Sequence, residues 1–388
     1  MAKQGKAAHE NNERTLILQD RLAFIPLVLM MIFYAGTWSF PYFYHITEKY
    51  NSLIIFIALF LLLLIKGNIL DRLRKKDISL ILTGLALVIA FANLLIIGSN
   101  LGCILILADF LLVIYIGGRI SLSEFQMKML EVFFLLMYAS WFIYDRAFSY
   151  NSNTGATYTV FTLFAALMFL SGLTRKNILF GYLIVAAFLR TFTLILWHLA
   201  RGAFMALVFF VFFYFLFLFF DPARHRKKYV FLSCFAVFGS LLFVWAYVML
   251  ARTGFNAQMP FFYKSIFSGR EDIWAEIWDM LKGHIFTGIG SGYELKSFFE
   301  YNIHNAMYDI LAVHGILVFA ISAFLIINTL ASAGKNIKRD RKSLIAAAAI
   351  FAIFFESFID MDLMWADYSP VLLLLFLEVF RDRAEQEN

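Results

Sequence analysis

An all-α polytopic membrane bundle of about twelve transmembrane helices, with a two-helix extracytoplasmic loop before the tenth span, is the fold this sequence predicts. Three observations lead there. Of 388 residues, 62% are hydrophobic, 19% aromatic and only 15% charged, where a soluble chain carries roughly 25% charged residues. The apolar residues fall in long runs, many near or above the roughly 18 needed to cross a bilayer. The lysines and arginines gather between alternate runs. This composition excludes a soluble enzyme and a disordered tail. The runs are also too long and too uniformly apolar for the alternating strands, about ten residues each, of an outer-membrane barrel.

Taken in order, the spans are read at 22–40, 51–65, 78–97, 101–117, 129–144, 157–173, 178–197, 203–220, 229–250, 304–331, 344–358 and 370–380. The first begins after Arg21, has no small-x-small cleavage site and is followed by many more, so it reads as a retained helix rather than a signal peptide. Only Gly98-Ser99-Asn100 separates the third from the fourth. The last two are short for roughly 30 Å of hydrocarbon. The chain therefore divides into an N-tail at 1–21, nine spans over 22–250, a loop at 251–303, three spans over 304–380 and a C-tail at 381–388.

Charge sets the expected orientation. With both tails cytoplasmic, 24 of the 33 Lys and Arg lie inside, 8 outside and Arg190 within a span. Five of the outer eight sit in the one long loop, where the positive-inside rule is weaker. The clusters Arg72-Leu73-Arg74-Lys75-Lys76 and Arg224-His225-Arg226-Lys227-Lys228 read as topology signals that favour anionic membrane lipid, so the net charge of +6 implies no nucleic-acid partner. Cys103 and Cys234 lie in apolar runs and suggest no disulfide.

The loop reads as two short helices. Ser268-Gly269-Arg270-Glu271 fits a capping box, followed by Ile273, Trp274, Ile277, Trp278 and Leu281 at helical spacing and a stop at Gly283. Its tryptophans suit headgroup level. Ser291-Gly292-Tyr293-Glu294 repeats the capping pattern ahead of a second helix. Gly288, Gly290 and Gly292 between them read as a flexible or tight link, or as a weak match to a glycine-rich phosphate cradle.

Three groups carry candidate chemistry on the outer side. Arg201 opens a very apolar helix beside Gly202-Ala203, and Arg270 sits in the first turn of the loop helix. Helix N-termini present free N–H groups and partial positive charge, and a guanidinium adds a planar fork matched to phosphate oxygens. Against that stands ordinary snorkelling of arginines to lipid phosphates. His304, where the loop meets the tenth span, can take a proton near neutral pH; on a helix it would share a face with Tyr308, Leu311 and Gly315. No pair of histidines has metal-ligand spacing, so no metal is expected. Arg190 is an intramembrane charge and so a functional hypothesis, with Asp309 or Glu356 as pairing partners. Glu356, Asp360, Asp362 and Asp367 cluster near the outer end of the eleventh span, where they could position sugar hydroxyls or balance the arginines.

An outer-face site cannot count on ATP or nucleotide sugars, so a synthetic reaction there needs a donor already activated, such as a lipid-linked diphosphate sugar. Two arginines can stabilise the departing diphosphate without a metal, and a histidine can take the acceptor proton.

These residues resemble the bacterial O-antigen ligase and polymerase family, membrane glycosyltransferases of surface-polysaccharide assembly. The resemblance rests on Arg201-Gly202-Ala203 opening a span, on Ser268-Gly269-Arg270 followed by a Trp-bearing helix and Gly288-Ile289-Gly290, and on His304-Asn305 with Gly315 beyond, over roughly residues 195–320. It implies a metal-independent, inverting transfer with no cofactor, from an undecaprenyl-diphosphate-linked glycan to a lipid-linked or lipid A core acceptor, at the bacterial cytoplasmic membrane. Arg201 and Arg270 would bind the donor diphosphate, His304 would activate the acceptor, and Tyr308, Arg190, Glu356 and Asp360 are candidates for positioning substrate. A chain-length regulator or a flippase is a candidate partner. Where the family motif ends in Gly, Thr or Tyr this chain has Val318, a departure that leans the reading from ligase to repeat-unit polymerase. A transporter for the same anionic lipid is the competing class; no internal repeat supports it.

Overall fold

The computed structural model describes residues 2–97, 99–145, 150–174, 176–255, 257–259, 262, 265–296, 302–337 and 340–387, with side chains over 17–381. Among these residues no strand forms, and each of the twelve expected spans coincides with a helix. They are α1 (Ala2–Ser39), α3 (Asn51–Lys66), α5 (Ile78–Ile97), α6 (Leu101–Arg119), α7 (Glu124–Ile143), α8 (Ser152–Thr174), α9 (Leu179–Trp197), α10 (Arg201–Phe219), α11 (Arg226–Arg252), α13 (Ala306–Ala333), α14 (Arg341–Glu356) and α15 (Ser369–Glu387). Short helices α2 (Pro41–Thr47) and α4 (Ile69–Arg74) lie between spans, and α12 (Arg270–Leu281) stands in the long loop. Ten helices among the described residues are long and apolar enough to cross a membrane. The chain is a multi-pass, all-α membrane protein.

The two spans that looked too short belong to the inside of the bundle. α14 is 16 residues, about 24 Å at 1.5 Å per residue, and is buried without interruption from Ser343 to Phe354; α15 is buried from Ser369 to Phe380. Helices apolar on every side belong in such an enclosed position. The Ala346–Ala349 run keeps α14 narrow, so that α8 and α10 pack closely on either side. Phe213 and Phe217 of α10 close on Phe351. By contrast α5, α9 and α11 turn Val88, Ile96, Leu189, Phe231 and Leu242 outward, each more than half exposed, as a lipid-facing surface requires.

The long loop departs from expectation in three places. The box at Ser268 does not form: α12 begins one residue later, capped by Gly269 in the left-handed region at φ 85° with no side-chain cap bond. The second helix does not start at Ser291. The Ser291 N–H donates to the Ser99 hydroxyl and its own hydroxyl accepts from the Asn100 N–H, so that serine is engaged by the α5–α6 turn, and residues 292–295 are irregular. Residues 297–301, and the expected outer cations Arg146 and Lys264, lie outside the described residues.

The glycines have a different use from the one their spacing suggested. α13 breaks at Gly315 (φ 82°, ψ 172°), about 15 Å along the helix at 1.5 Å per residue. Such a break orphans backbone groups at membrane depth, which is tolerable only where protein satisfies them. Segment 285–290 supplies the partners: the Ile289 N–H donates to Ala312 O (2.7 Å), the Gly290 N–H to Val313 O (3.2 Å), and the Ile316 N–H reaches back to Ile285 O (2.8 Å). Asn93 Nδ2 from α5 donates to His314 O at 3.0 Å. Backbone meets backbone so closely that a Cβ on Gly288 (φ 77°) would lie 2.4 Å from Val313 O, and one on Gly315 2.2 Å from Phe286 O. The loop is thus not laid over the bundle but pinned into it.

Candidate active site

Four stretches distant in sequence converge at the loop end of the bundle. The α9–α10 turn brings Arg201. Leu199 sits at φ 52°, the reversal is tight, and Arg201 emerges at the first turn of α10 with its Nη1 donating to Ser265 O at 2.6 Å. Gly202 beside it must be small: a Cβ there would meet Glu356 Oε1 at 3.0 Å and Asp360 Oδ2 at 3.8 Å. Arg270, from the start of α12, is an electrostatic neighbour of Arg201.

His304 lies just outside α13 rather than on it, so the face shared with Tyr308, Leu311 and Gly315 is not formed. Asn305 is the N-cap: its Oδ1 accepts from the Tyr308 N–H (2.8 Å) and the Ser240 hydroxyl (2.8 Å), and its Nδ2 donates to Phe358 O (2.8 Å). His304 is held left-handed at φ 51°, a conformation uncommon outside glycine that persists only when the surroundings enforce it. Its N–H donates to Asn302 Oδ1 (3.1 Å). The neighbouring Ile303 carbonyl accepts from Trp274 Nε1 at 2.6 Å, and the Tyr308 hydroxyl donates to Trp274 O at 3.1 Å. Tyr308 is thus buried between α12 and α13, with its hydroxyl engaged by the α12 backbone.

Asp360, from the turn after α14, links two of these parts. Its Oδ1 lies 3.3 Å from His304 Nδ1 and its Oδ2 3.4 Å from Arg270 Nη2. Burial alone would raise its carboxyl, but the His304 and Arg270 interactions and the Met361 N–H outweigh that and hold it below the ordinary carboxylate range. Its neighbour Asp362 goes the other way: burial and the Asp360 charge push it well up, against bonds from Thr157 and Glu356. Glu356, Asp360 and Asp362 bring one oxygen each within 4.8 Å of one another and form the one group among the described residues with metal-ligand geometry. Arg270 supplies counter-charge to it.

Of the expected site residues, the structure brings Arg201, Arg270, His304, Glu356 and Asp360 together. Arg190 stands apart. Its Nε donates to Phe142 O at the end of α7 (3.2 Å), a helix C-terminus that favours a cation, in place of Asp309 or Glu356. Asp367 likewise leaves the acidic group, accepting from Asn51 Nδ2 at 2.5 Å. Sequence reasoning missed the Ser265 carbonyl under Arg201 and the bridging place of Asp360. No local signal marks either, because each partner comes from another part of the chain.

The arrangement pairs two guanidiniums, suited to a diphosphate, with a histidine oriented by a carboxylate. No curated protein and no solved structure matches the chain. The family model described as O-antigen ligase matches residues 185–323, a stretch that contains Arg201, Arg270, His304 and the Gly288–Gly315 crossing. Over that stretch the chain is similar to the O-antigen ligase family.

Proposed function

We propose that the protein is a membrane glycosyltransferase that moves a glycan from an undecaprenyl-diphosphate carrier to an acceptor hydroxyl on the outer face of the bacterial cytoplasmic membrane, in surface-polysaccharide synthesis. The observation that carries this reading is the single network Arg270–Asp360–His304, with Arg201 alongside.

In the step, the acceptor oxygen attacks the anomeric carbon of the donor sugar from the face opposite the diphosphate. The new C–O bond forms as the bond to the phosphate oxygen breaks, and its electron pair leaves on the carrier diphosphate. One displacement inverts the anomeric centre. Arg201 and Arg270 stabilise the charge that accumulates on the leaving diphosphate, the position where fixed positive charge accelerates most. A diphosphate so held needs neither a proton nor a metal to depart. Asp360 accepts from His304 Nδ1–H and thereby leaves the Nε2 lone pair to take the acceptor proton, the orienting role a carboxylate plays beside a catalytic imidazole. Gly202 lets the Glu356 and Asp360 carboxylates approach the start of α10.

Between acceptors, the departure from the family motif at Val318 leans the reading slightly to a second lipid-linked repeat unit, hence a polymerase; the ligase alternative transfers finished chains to lipid A core or another terminal acceptor. The deciding experiment is the profile of carrier-linked glycans in the native host with the gene deleted and restored. Single repeat units on the carrier support the polymerase, stranded long chains support the ligase, and an unchanged profile rejects the transferase reading.

Two predictions belong to this site. Arg270→Lys keeps the charge but loses the fork, and affinity for the carrier diphosphate should fall about tenfold, the worth of one charge-assisted hydrogen bond; unchanged affinity in a binding titration would remove Arg270 from the diphosphate. Asp360→Asn should reduce kcat about 100-fold because His304 loses its orienting charge. Asp362→Asn should stay within about threefold, because that carboxyl is already held toward its neutral form, which an amide imitates. Equal losses in the two variants would mean a shared structural role instead.

A further inference from the structure

Two cavities meet along the seam between α11 and α12, and the site above uses neither. One, of about 500 Å³, is apolar and reaches down beside the bundle, walled by Val244, Trp245, Trp274, Trp278 and Leu311. The other, of about 510 Å³, opens on the loop side and is walled by Phe255, Ser265, Phe267, Glu271 and Asp272. They share Val248, Arg252 and Ala275. Arg252 is the last residue of α11, and Trp245 and Trp278 are 61% and 49% exposed, so this junction sits at the level where aromatic side chains mark the membrane surface.

We infer that this paired cavity holds the second lipid-linked saccharide of the reaction, the acceptor, with its isoprenyl chain in the apolar part, its phosphate at Arg252 and its sugars in the polar part. The proposal rests on the transferase reading and adds the acceptor's place to it. Each part of the ligand has its match. An apolar cleft flanked by interfacial tryptophans takes a chain. A guanidinium at the junction takes a phosphate. The polar part offers two carboxylates that accept hydroxyl protons and two phenyl rings that can pack on sugar faces. The polar part also adjoins the donor machinery: Ser265 is the residue whose carbonyl holds Arg201, and Glu271 follows Arg270. A saccharide there lies next to the site of transfer.

The test is native mass spectrometry of the purified protein with undecaprenyl diphosphate as probe. Wild type should retain two carriers per chain. Arg252→Gln should retain one, and its remaining carrier reports that the variant is folded. Arg201→Gln combined with Arg270→Gln should also retain one, and all three changes together none. Wild type holding a single carrier that Arg252→Gln leaves in place overturns the proposal. So does displacement of the Arg252-sensitive carrier by equimolar phosphatidylglycerol, which would make the seam a lipid site. Two carriers persisting in the Arg201/Arg270 double variant, with one lost in Arg252→Gln, would reject the donor assignment while upholding the seam.

Discussion

His304→Ala is expected to lower glycan transfer by about 100- to 10,000-fold, the range a positioned general base supplies, while the protein still folds and inserts. The separation of chemistry from structure follows from where His304 sits. It precedes the N-cap of α13 and is half-buried, and the bonds that fix its neighbourhood run through Asn305, Trp274 and the backbone rather than through the imidazole. Removing the ring therefore takes away the proton acceptor and the Asp360 contact and leaves those bonds in place. The measurement is turnover of a carrier-linked oligosaccharide by purified protein, with carrier binding read alongside. Binding should persist, since the arginines are untouched. Full turnover in His304→Ala would exclude this histidine as the base; loss of binding as well as turnover would place it with the arginines instead.

Gly288→Ala is expected to be strongly destabilising. The residue sits at φ 77°, and its new methyl would be 2.4 Å from the Val313 carbonyl. A left-handed alanine costs about 1–2 kcal/mol by itself, and the clash with backbone that cannot swing aside brings the total to the order of 3 kcal/mol or more. Because the crossing supplies hydrogen bonds to the break in α13, the loss should appear as a lower melting temperature in detergent together with loss of activity. Gly181→Ala is the matching control. Nothing lies within 4 Å of its Cβ position, it is inside α9, and alanine there should stabilise by about 0.5–1 kcal/mol. Equal melting temperatures for the two variants would mean that the loop is not held against α13.

How much of this the sequence shows depends on the range of the interaction. The spans are local properties of composition, and all twelve are helices where expected. Arg201, Arg270 and His304 were legible because helix starts and titratable side chains at loop boundaries are also local. What was not legible depends on contacts between distant segments. Ser268 fits a capping pattern, but the geometry that joins the loop to Arg201 favours Gly269 in the left-handed region. Ser291 looks like a helix start, but its polar groups are spent on Ser99 and Asn100. Three spaced glycines suggest a phosphate cradle, and only the break at Gly315, itself hidden inside an unbroken apolar run, explains the first of them, Gly288. Arg190 stands out in sequence as a charge among apolar residues, and its partner is a carbonyl, which carries no sequence signature.

The crossing of 285–290 over Gly315 also bears on how the protein is made. The helix that carries the crossing is synthesised after the loop that satisfies it, and Asp360, which orients His304, is synthesised after both. Phe358 and Ser357, whose carbonyls anchor Asn305 and Ala306, arrive at the same late stage. A chain still emerging from the ribosome therefore has its arginines in place but neither a settled histidine nor its carboxylate. On the proposed reading, the reacting group would be completed only once α14 has packed into the bundle, so a truncated chain would carry the arginines without the oriented histidine.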